Sequence, residues 1–217
     1  MLKPTDVLEQ YRLIVILRGI PTEMLMGVLD ALYEGGVRMA EITFDAAGNV
    51  SDTETAAQIN CSAARMEGKM HIGAGTVMTV EQLHLTRAAG GTFAVSPHTD
   101  PVLIETTKTM GLISVPGAMT PSEIVTAYRA GADYVKLFPA SALGPDFVRR
   151  MHGPFPHIRM LPVSGVGLED IPTYLSAGAS GFGIGSAIAN PKFCADGDLT
   201  AIRDRATAYA VACGKTR

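Results

Sequence analysis

A lysine within a short apolar run is the first candidate for covalent chemistry. Lys136 lies in YVKLFPA at 134–140, and alternate side chains of an extended strand point to the same side. Val135 and Leu137 suit packing against helices, which turns Lys136 toward the interior. A lysine withdrawn from water has a depressed pKa, and its neutral amine can attack a ketone to form a Schiff base. The alternative is a strand-end lysine whose amine reaches back to solvent.

Glu41 has a comparable place in the run MAEITF at 39–44. Alternation groups it with Met39 and Thr43 and leaves only apolar side chains on the opposite face. A carboxylate in a protein interior is unfavourable unless it is paired, so Lys136 is the expected partner. The pair would suit imine chemistry, with the amine as nucleophile and the carboxylate moving protons. A structural ion pair is the alternative.

Two further polar residues end neighbouring apolar runs. Arg18 ends LIVILRG at 13–19, where a guanidinium could hold a carboxylate through two hydrogen bonds or pair with a local acid. Thr76 follows two glycines in MHIGAGTV at 70–77, and we expect those glycines to let a substrate approach the backbone. Its hydroxyl can donate to a carboxylate. We assign both residues to substrate carboxylate binding.

Glycine-rich turns follow the last two apolar runs. The chain reads PVSGVG at 162–167 and GIGSAI at 183–188. Turns of this kind that lead into helices bind phosphate in many α/β barrels. The predicted phosphate donors are Ser164, Gly165, Gly185 and Ser186.

These residues require an ordered set of strands and helices. Eight apolar runs alternate with amphipathic segments, and Thr22, Thr79 and Thr120 stand where helix N-caps are expected. The alternation predicts parallel strands with right-handed crossovers, and eight units favour a (β/α)8 TIM barrel over an open doubly wound sheet. We expect one domain over 1–217, with a short N-terminal helix closing the barrel floor. The runs are 13–19, 39–44, 70–77, 92–97, 112–118, 134–140, 159–165 and 181–188.

Bulk composition limits the possible partners. The 217 residues carry a formal net charge of -3, contain no Trp and are 6% aromatic, which gives no reason to expect nucleic acid or a membrane surface. The three cysteines and five histidines show no metal-ligand spacing, and His98 with Asp100 would make a weak site, so metal-dependent chemistry is disfavoured. The charged N-terminus predicts no signal peptide, and we expect a cytoplasmic protein.

The motifs together resemble the bacterial 2-keto-3-deoxy-6-phosphogluconate and 2-keto-3-deoxy-6-phosphogalactonate aldolases. The similarity spans roughly 12–188 and consists of ILRGI, AEIT, GAGTV, SP, VPGAMTPSEI, KLFPAS with a following GP, and GIGS. It implies a (β/α)8 barrel, a homotrimer, no metal or other cofactor, and cleavage of a phosphorylated 2-keto-3-deoxy acid in an Entner–Doudoroff-like pathway. By the same resemblance Lys136 forms the Schiff base, Glu41 shuttles protons and Thr76 binds the carboxylate.

The rest of the expected pocket, and three departures from the family pattern, bear on substrate choice. We expect Thr43, Pro97, Phe138 and Val163 to line the substrate pocket. Asp45 replaces an arginine of the gluconate enzymes, so Arg18 would supply the positive charge. Val163 and Ser164 replace the threonine and glycine of a PTGG turn, and Ser164 either adds a donor or obstructs the phosphate. His98 stands where the family has a small or amide side chain.

Three other functions remain open at this point. An aldolase for 4-hydroxy-2-oxoglutarate or another unphosphorylated 2-keto acid fits the same residues. A phosphate-binding isomerase could use the glycine turns and Glu41 without an imine. A non-catalytic sugar-phosphate-binding barrel would need only the turns.

Overall fold

The chain forms an α/β fold of parallel strands connected by helices. The computed structural model describes residues 3–214, apart from the side chains of residues 194 and 195. Cys194 therefore lies outside the described side chains, whereas Cys61 is exposed and Cys213 is buried. The strands are Leu13–Leu17 (β1), Met39–Thr43 (β2), His71–Gly75 (β3), Phe93–Val95 (β4), Ile113–Val115 (β5), Gly117–Ala118 (β6), Val135–Leu137 (β7), Met160–Pro162 (β8) and Phe182–Ile184 (β9).

Each predicted apolar run contains a strand, and the run at 112–118 is interrupted. Pro116 separates β5 from β6, because proline has no N–H to give to the ladder. The strands pair in the order β5-β4-β3-β2-β1-β9 and β6-β7-β8. A parallel bridge between Val163 and Gly183 joins the end of β8 to β9.

Except between β5 and β6, a helix separates successive strands, and two of the three predicted helix caps are confirmed. Thr79 and Thr120 cap their helices as predicted, and Thr120 forms a full capping box with Glu123. The prediction for Thr22 was wrong: it is the first helical residue, and its hydroxyl accepts from Gln58 at 2.8 Å. The helices are Pro4–Tyr11 (α1), Thr22–Glu34 (α2), Asp52–Arg65 (α3), Val80–Ala88 (α4), Pro101–Thr109 (α5), Pro121–Arg129 (α6), Ala140–His152 (α7), Ile171–Ser176 (α8), Pro191–Ala195 (α9) and Leu199–Ala212 (α10).

The strands bury two different faces. Outward side chains such as Val15, Ile42 and Val135 pack with the helices in the larger apolar cluster. The opposite face, here called the inner face, holds a smaller cluster that includes Met39 and Tyr134. Helix α1 closes this cluster at the N-terminal ends of the strands, as predicted, through Val7 and Leu8. Within residues 3–214, no helix is long and apolar enough to cross a membrane.

Candidate active site

Lys136 lies in the middle of β7 on the inner face. Its strand neighbours Val135 and Leu137 belong to the outer cluster and Tyr134 to the inner one, so the predicted alternation is confirmed. The side chain is 6% exposed. Its Nζ lies 4.7 Å from the centroid of the Phe138 ring, which follows the strand at the mouth of the cleft. The amine is thus withdrawn from water and covered by an aromatic ring.

Glu41 occupies the inner face of β2 and is 2% exposed. It pairs in register with Ile16 on one side and Gly73 on the other. Ala40, Ile42 and Phe44 lie in the outer cluster, which confirms the predicted face. The two ionisable side chains expected to carry the chemistry therefore enter the same interior space from β2 and β7.

Burial shifts the pKa of both groups toward neutrality. Desolvation raises the pKa of Glu41 to about 7, although Lys136 and Arg18 oppose this shift. Desolvation also lowers the pKa of Lys136, against the attraction of Glu41. None of the ion pairs found among the described residues joins the two, so they interact across the cleft without contact. Burial therefore favours the neutral form of each group, the form in which an amine is nucleophilic and a carboxyl group can donate a proton.

Arg18 and Thr76 meet at the C-terminal ends of β1 and β3. The Arg18 Nη2 donates to the Thr76 Oγ1 at 2.9 Å. Thr76 has a left-handed backbone, with φ of 55°. A guanidinium and a hydroxyl held side by side can together bind a carboxylate. The structure thus brings together the two residues that the sequence assigned to carboxylate binding.

The glycines before Thr76 have a different role from the predicted one. A Cβ at Gly73 would lie 2.5 Å from Cγ of Phe93, and a Cβ at Gly75 would overlap the Glu41 carboxylate. Protein side chains therefore already fill the space beside both glycines. The prediction that these glycines admit substrate to the backbone was wrong.

The residues expected to line the pocket differ in how their side chains are oriented. Val163 is buried beside Gly183, where a Cβ would lie 2.8 Å from Val163 Cγ2 and 3.5 Å from Ile16 Cδ1. It therefore faces the interior and not a helix. Thr43 lies on the inner face, but its hydroxyl donates to the Leu17 carbonyl at 3.5 Å.

Pro97 contributes to the wall mainly through its backbone. A Cβ at Gly117 would lie 2.5 Å from the carbonyl carbon of Pro97 and 3.0 Å from the His98 nitrogen. Gly117 pairs in register with Lys136, so the β4–α5 loop lies against β6, the strand next to the one that carries Lys136. Phe138 is 36% exposed at the rim.

The two turns predicted to bind phosphate lie next to each other. Ser164 and Gly165 both adopt left-handed backbones, with φ of 73° and 76°. The bridge between β8 and β9 sets this turn beside Gly185, whose carbonyl accepts from the Ile188 nitrogen at 2.9 Å. Ser164 keeps the backbone that a glycine would have, and its side chain is exposed.

Ser141 is a neighbour of this turn that the sequence reasoning missed. Its backbone nitrogen donates to the Ser164 carbonyl at 3.0 Å, and a Cβ at Gly165 would lie 2.5 Å from the Ser141 Cβ. Ser141 stands at the start of α7, directly after the motif KLFPA. Its position directly after that motif was the available signal, because the strand that carries Lys136 leads straight into this helix.

Asp45, which stands where the gluconate enzymes have an arginine, stabilises a loop through its carboxylate. Its carboxylate accepts from the backbone nitrogens of Ala47, Asn49 and Val50 at 2.7–3.1 Å, and these hydrogen bonds lower its pKa. The loop borders a cavity of about 310 Å³ that also includes Arg18. An aspartate followed by Ala-Ala-Gly-Asn is typical of such a turn, which the sequence analysis did not use.

Asp100, which the sequence paired with His98 as a weak metal site, acts as a helix cap. The Asp100 carboxylate caps α5, accepting from the Val102 nitrogen at 2.9 Å and the Leu103 nitrogen at 3.4 Å. Among the residues that the structure describes, no group of three or more His, Cys, Asp or Glu side chains could hold a metal ion.

Comparison with known proteins agrees with this geometry. The model of an aldolase family described as KDPG and KHG aldolase matches residues 5–205. The chain belongs to this family. Membership confirms the predicted resemblance and makes the protein an aldolase, a carbon–carbon lyase.

Individual relatives of this aldolase include both substrate types. A probable 2-dehydro-3-deoxy-6-phosphogalactonate aldolase of Rhizobium meliloti (strain 1021) is 36% identical over 90% of this chain and 88% of its own length. A 2-dehydro-3-deoxy-phosphogluconate aldolase of Treponema pallidum (strain Nichols) is 31% identical over 79% of each chain. A solved structure described as "Native KDPGal structure" is 29% identical, has a TM-score of 0.83, and is matched over 92% of this chain and 93% of its own.

Proposed function

We propose that this aldolase forms a Schiff base through Lys136 and cleaves a 2-keto-3-deoxy-6-phospho sugar acid, of galactonate or gluconate type, into pyruvate and glyceraldehyde 3-phosphate. One observation carries the proposal. Lys136 and Glu41 are buried on one inner face, and their pKa values are shifted in opposite directions toward neutrality. An amine nucleophile and a proton shuttle need those shifts.

The reaction follows from these two groups. The neutral Lys136 amine adds to the C2 ketone, and the protonated Glu41 gives its proton to the departing hydroxyl as water leaves and the iminium forms. The Glu41 carboxylate, through a water, then takes the proton of the C4 hydroxyl. The C3–C4 bond breaks, the aldehyde forms, and the bonding electrons move into the iminium. The resulting enamine is protonated at C3, and water hydrolyses the iminium to pyruvate and the free amine.

Other residues hold the substrate along the cleft. Arg18 and Thr76, joined by their hydrogen bond, bind the C1 carboxylate. Phe138, Val163, Thr43 and Pro97 line the part of the cleft that takes the middle carbon atoms of the substrate. The phosphate is bound by the backbone of the two turns at 164–165 and 185–186, since their adjacent strands aim both turns to the same side.

The proposed architecture is one closed (β/α)8 barrel formed by a single domain over 1–217. Two features support closure. The Val163–Gly183 bridge joins β8 to β9, and β5 continues into β6 across Pro116. Lys136 also donates its backbone nitrogen to the Pro116 carbonyl at 2.8 Å. With both joins, the strands form a ring, and the site lies at its C-terminal mouth, as in other barrel enzymes.

We also propose that the enzyme is a cytoplasmic homotrimer that needs no cofactor and acts on small molecules, without nucleic acid or membrane partners. The family resemblance supports the trimer. A second support is a set of exposed apolar side chains, here called the apolar rim: Met78 after β3, Val102 in the first turn of α5 and Met119 after β6, which are 50%, 64% and 44% exposed. Apolar surface of this kind is typical of subunit contacts.

Borohydride trapping tests the covalent step. Pyruvate with borohydride should leave a reduced adduct on Lys136, detected by mass spectrometry of a digest. Lys136→Met should abolish the adduct, whereas Lys69→Met, which removes an exposed lysine, should keep it. An unmodified Lys136, or an adduct that persists in Lys136→Met, would contradict the proposal. An isomerase or a non-catalytic binding protein would give no adduct at all.

The substrate class is tested separately, because the family description also includes KHG aldolases. We expect pyruvate release from phosphorylated 2-keto-3-deoxy acids to exceed that from 4-hydroxy-2-oxoglutarate in kcat/KM. The expectation rests on the paired glycine turns, which an unphosphorylated acid would leave empty. Equal or greater release from the unphosphorylated acid would assign the enzyme to that alternative substrate.

A further inference from the structure

Gly75 is a glycine whose presence the backbone does not explain. It is the last residue of β3, is buried, and pairs in register with Thr43. Its backbone is not left-handed, unlike that of the following Thr76. Any residue could adopt this conformation. The reason for glycine must therefore be the space that a side chain would occupy.

That space contains the Glu41 carboxylate. A Cβ at Gly75 would contact Glu41 Oε1, would lie 2.7 Å from Glu41 Cδ and would lie 2.9 Å from Thr43 Cγ2. Non-bonded carbon atoms pack at about 3.5–4.0 Å, so these positions are mutually exclusive. The missing side chain forms a notch in the wall of β3, and the carboxylate of the neighbouring strand lies in it.

No polar contact fixes Glu41 instead. Its carboxylate makes no hydrogen bond and no ion pair with another residue in the described part of the chain. The charged groups facing it are Lys136 from β7 and Arg18 from the end of β1, and both act on it only through space. Packing in the notch is therefore what determines where the carboxylate stands relative to the amine.

We propose that Gly75 is a positioning residue: it provides the notch that holds the Glu41 carboxylate at its working distance from Lys136. The inference rests on the proposed role of Glu41 as the proton shuttle. Gly75 touches neither substrate nor reacting atoms, and it acts through Glu41 alone. A methyl group at residue 75 would push the carboxylate out of the wall toward the cleft, closer to Lys136 and Arg18.

The test is Gly75→Ala in two backgrounds, Glu41 and Glu41→Ala. With Glu41 present, we expect kcat for retro-aldol cleavage to fall about 100-fold, the order expected for a displacement of about 1 Å, while KM changes less. The acid limb of the pH profile, where activity rises as Glu41 ionises, should move to lower pH than in the wild type. The reason is that the carboxylate leaves its desolvated notch and approaches the Arg18 guanidinium. In the Glu41→Ala background, Gly75→Ala should add little loss in either pyruvate trapping rate or melting temperature.

Gly73→Ala is the matched control, because Gly73 lies on the same strand but its absent side chain faces Phe93. It should lower the melting temperature without moving the acid limb. A Gly75→Ala enzyme with wild-type kcat and pH profile overturns the inference. So does an equal loss in both Glu41 backgrounds, or failure to fold in both, because the clash would then involve Thr43 or the strand itself. If the wild type itself shows no turnover and no Lys136 adduct, the proposed function fails instead.

Discussion

At the scale of single residues, burial acts in opposite directions on the two ionisable side chains of the cleft. Loss of water disfavours charge, so it raises the pKa of Glu41 and lowers the pKa of Lys136. Because the Glu41 pKa is about 7 in the fold and near 4.5 without it, the folded state holds this proton more tightly. The stability that this group contributes is full below about pH 4.5 and is lost as pH rises through about 7.

The first prediction concerns the pH dependence of proton transfer. Glu41 must be ionised to take a proton from the methyl group of bound pyruvate, so kcat/KM for exchange in deuterium oxide should rise with pH through about 7. Glu41→Gln should lower the exchange rate about 10²- to 10⁴-fold and remove this limb. Exchange rates from proton NMR between pH 5 and 9 measure both. A limb near pH 7 that persists in Glu41→Gln would assign it to another group.

The second prediction concerns Val163 and the configuration at C4. Val163 faces the interior next to Gly183 and cannot hydrogen-bond a hydroxyl, so we expect the galacto-configured substrate to be used at least as well as the gluco-configured one. Val163→Thr adds a donor worth about 0.5–1.5 kcal/mol and should shift the ratio toward gluco by roughly three- to tenfold. Values of kcat/KM for both epimers on both enzymes decide the matter. A wild type with strong gluco preference, or an unchanged ratio, would be inconsistent with it.

At the scale of elements, we expect the turns that leave the strands to hold the ends of the substrate. The turn after β8 has two consecutive residues with left-handed backbones, Ser164 and Gly165. The start of α7 packs against it through Ser141, whose backbone nitrogen bonds the Ser164 carbonyl. Strand β7, which carries Lys136, and the turn after β8 are thereby linked through the start of α7.

The third prediction tests this turn through Gly165→Ala. The change places a methyl group on a backbone with φ of 76°, and its Cβ would lie 2.5 Å from the Ser141 Cβ. We expect KM for the phosphorylated substrate to rise about tenfold or more, since displaced backbone donors lose hydrogen bonds to a charged group worth about 1.5–3 kcal/mol. Borohydride trapping with pyruvate, which has no phosphate, should be unchanged.

Ser164→Gly provides the companion measurement. It keeps the left-handed backbone that the serine already adopts, so KM should stay within about threefold of the wild type. A large fall in KM would mean that the serine obstructs the phosphate. A large rise would mean that its hydroxyl is a required donor.

At the scale of the whole molecule, the N-terminal ends of the strands have a structural role, and the C-terminal ends surround the candidate active site. The N-terminal end is closed by α1, where Glu9 pairs with Arg159 at 2.9 Å and the Tyr134 hydroxyl donates to the Thr5 carbonyl at 3.4 Å. The C-terminal end carries Arg18, Thr76 and the turns, and Lys136 and Glu41 lie within the strands below it. Apolar side chains of the inner cluster separate the two ends. The side chains of Lys136 and Glu41 are thus packed against apolar residues on their N-terminal side, which keeps water from reaching them from that side.

The fourth prediction concerns assembly. If the apolar rim at Met78, Val102 and Met119 is the subunit contact, light scattering should give three times the 22.8 kDa of one chain. Val102→Asp should yield monomers, because a charge at residue 102 would be buried unpaired in the contact. The substitution leaves α5 intact, since acidic residues are favourable in a first helical turn. A trimer that survives Val102→Asp would place the contact elsewhere.

Sequence alone determined which elements form and which faces their residues occupy. The period-two pattern placed Lys136 and Glu41 on the inner side of β7 and β2, because each alternative would bury a charge against the helices. Cap residues such as Thr120 located helix starts for the same local reason. Family membership followed from short motifs that lie along one chain and need no three-dimensional information.

Only the tertiary structure decided what the side chains touch. The sequence led us to expect an ion pair between Lys136 and Glu41, but the two side chains face each other across the cleft without one. The notch at Gly75 that holds the carboxylate depends on the register between β2 and β3. Asp45, read as a missing cation, satisfies three backbone nitrogens of its own loop. Such contacts depend on distances between strands and loops that are set by packing of the whole core, and a linear pattern of residues does not encode them.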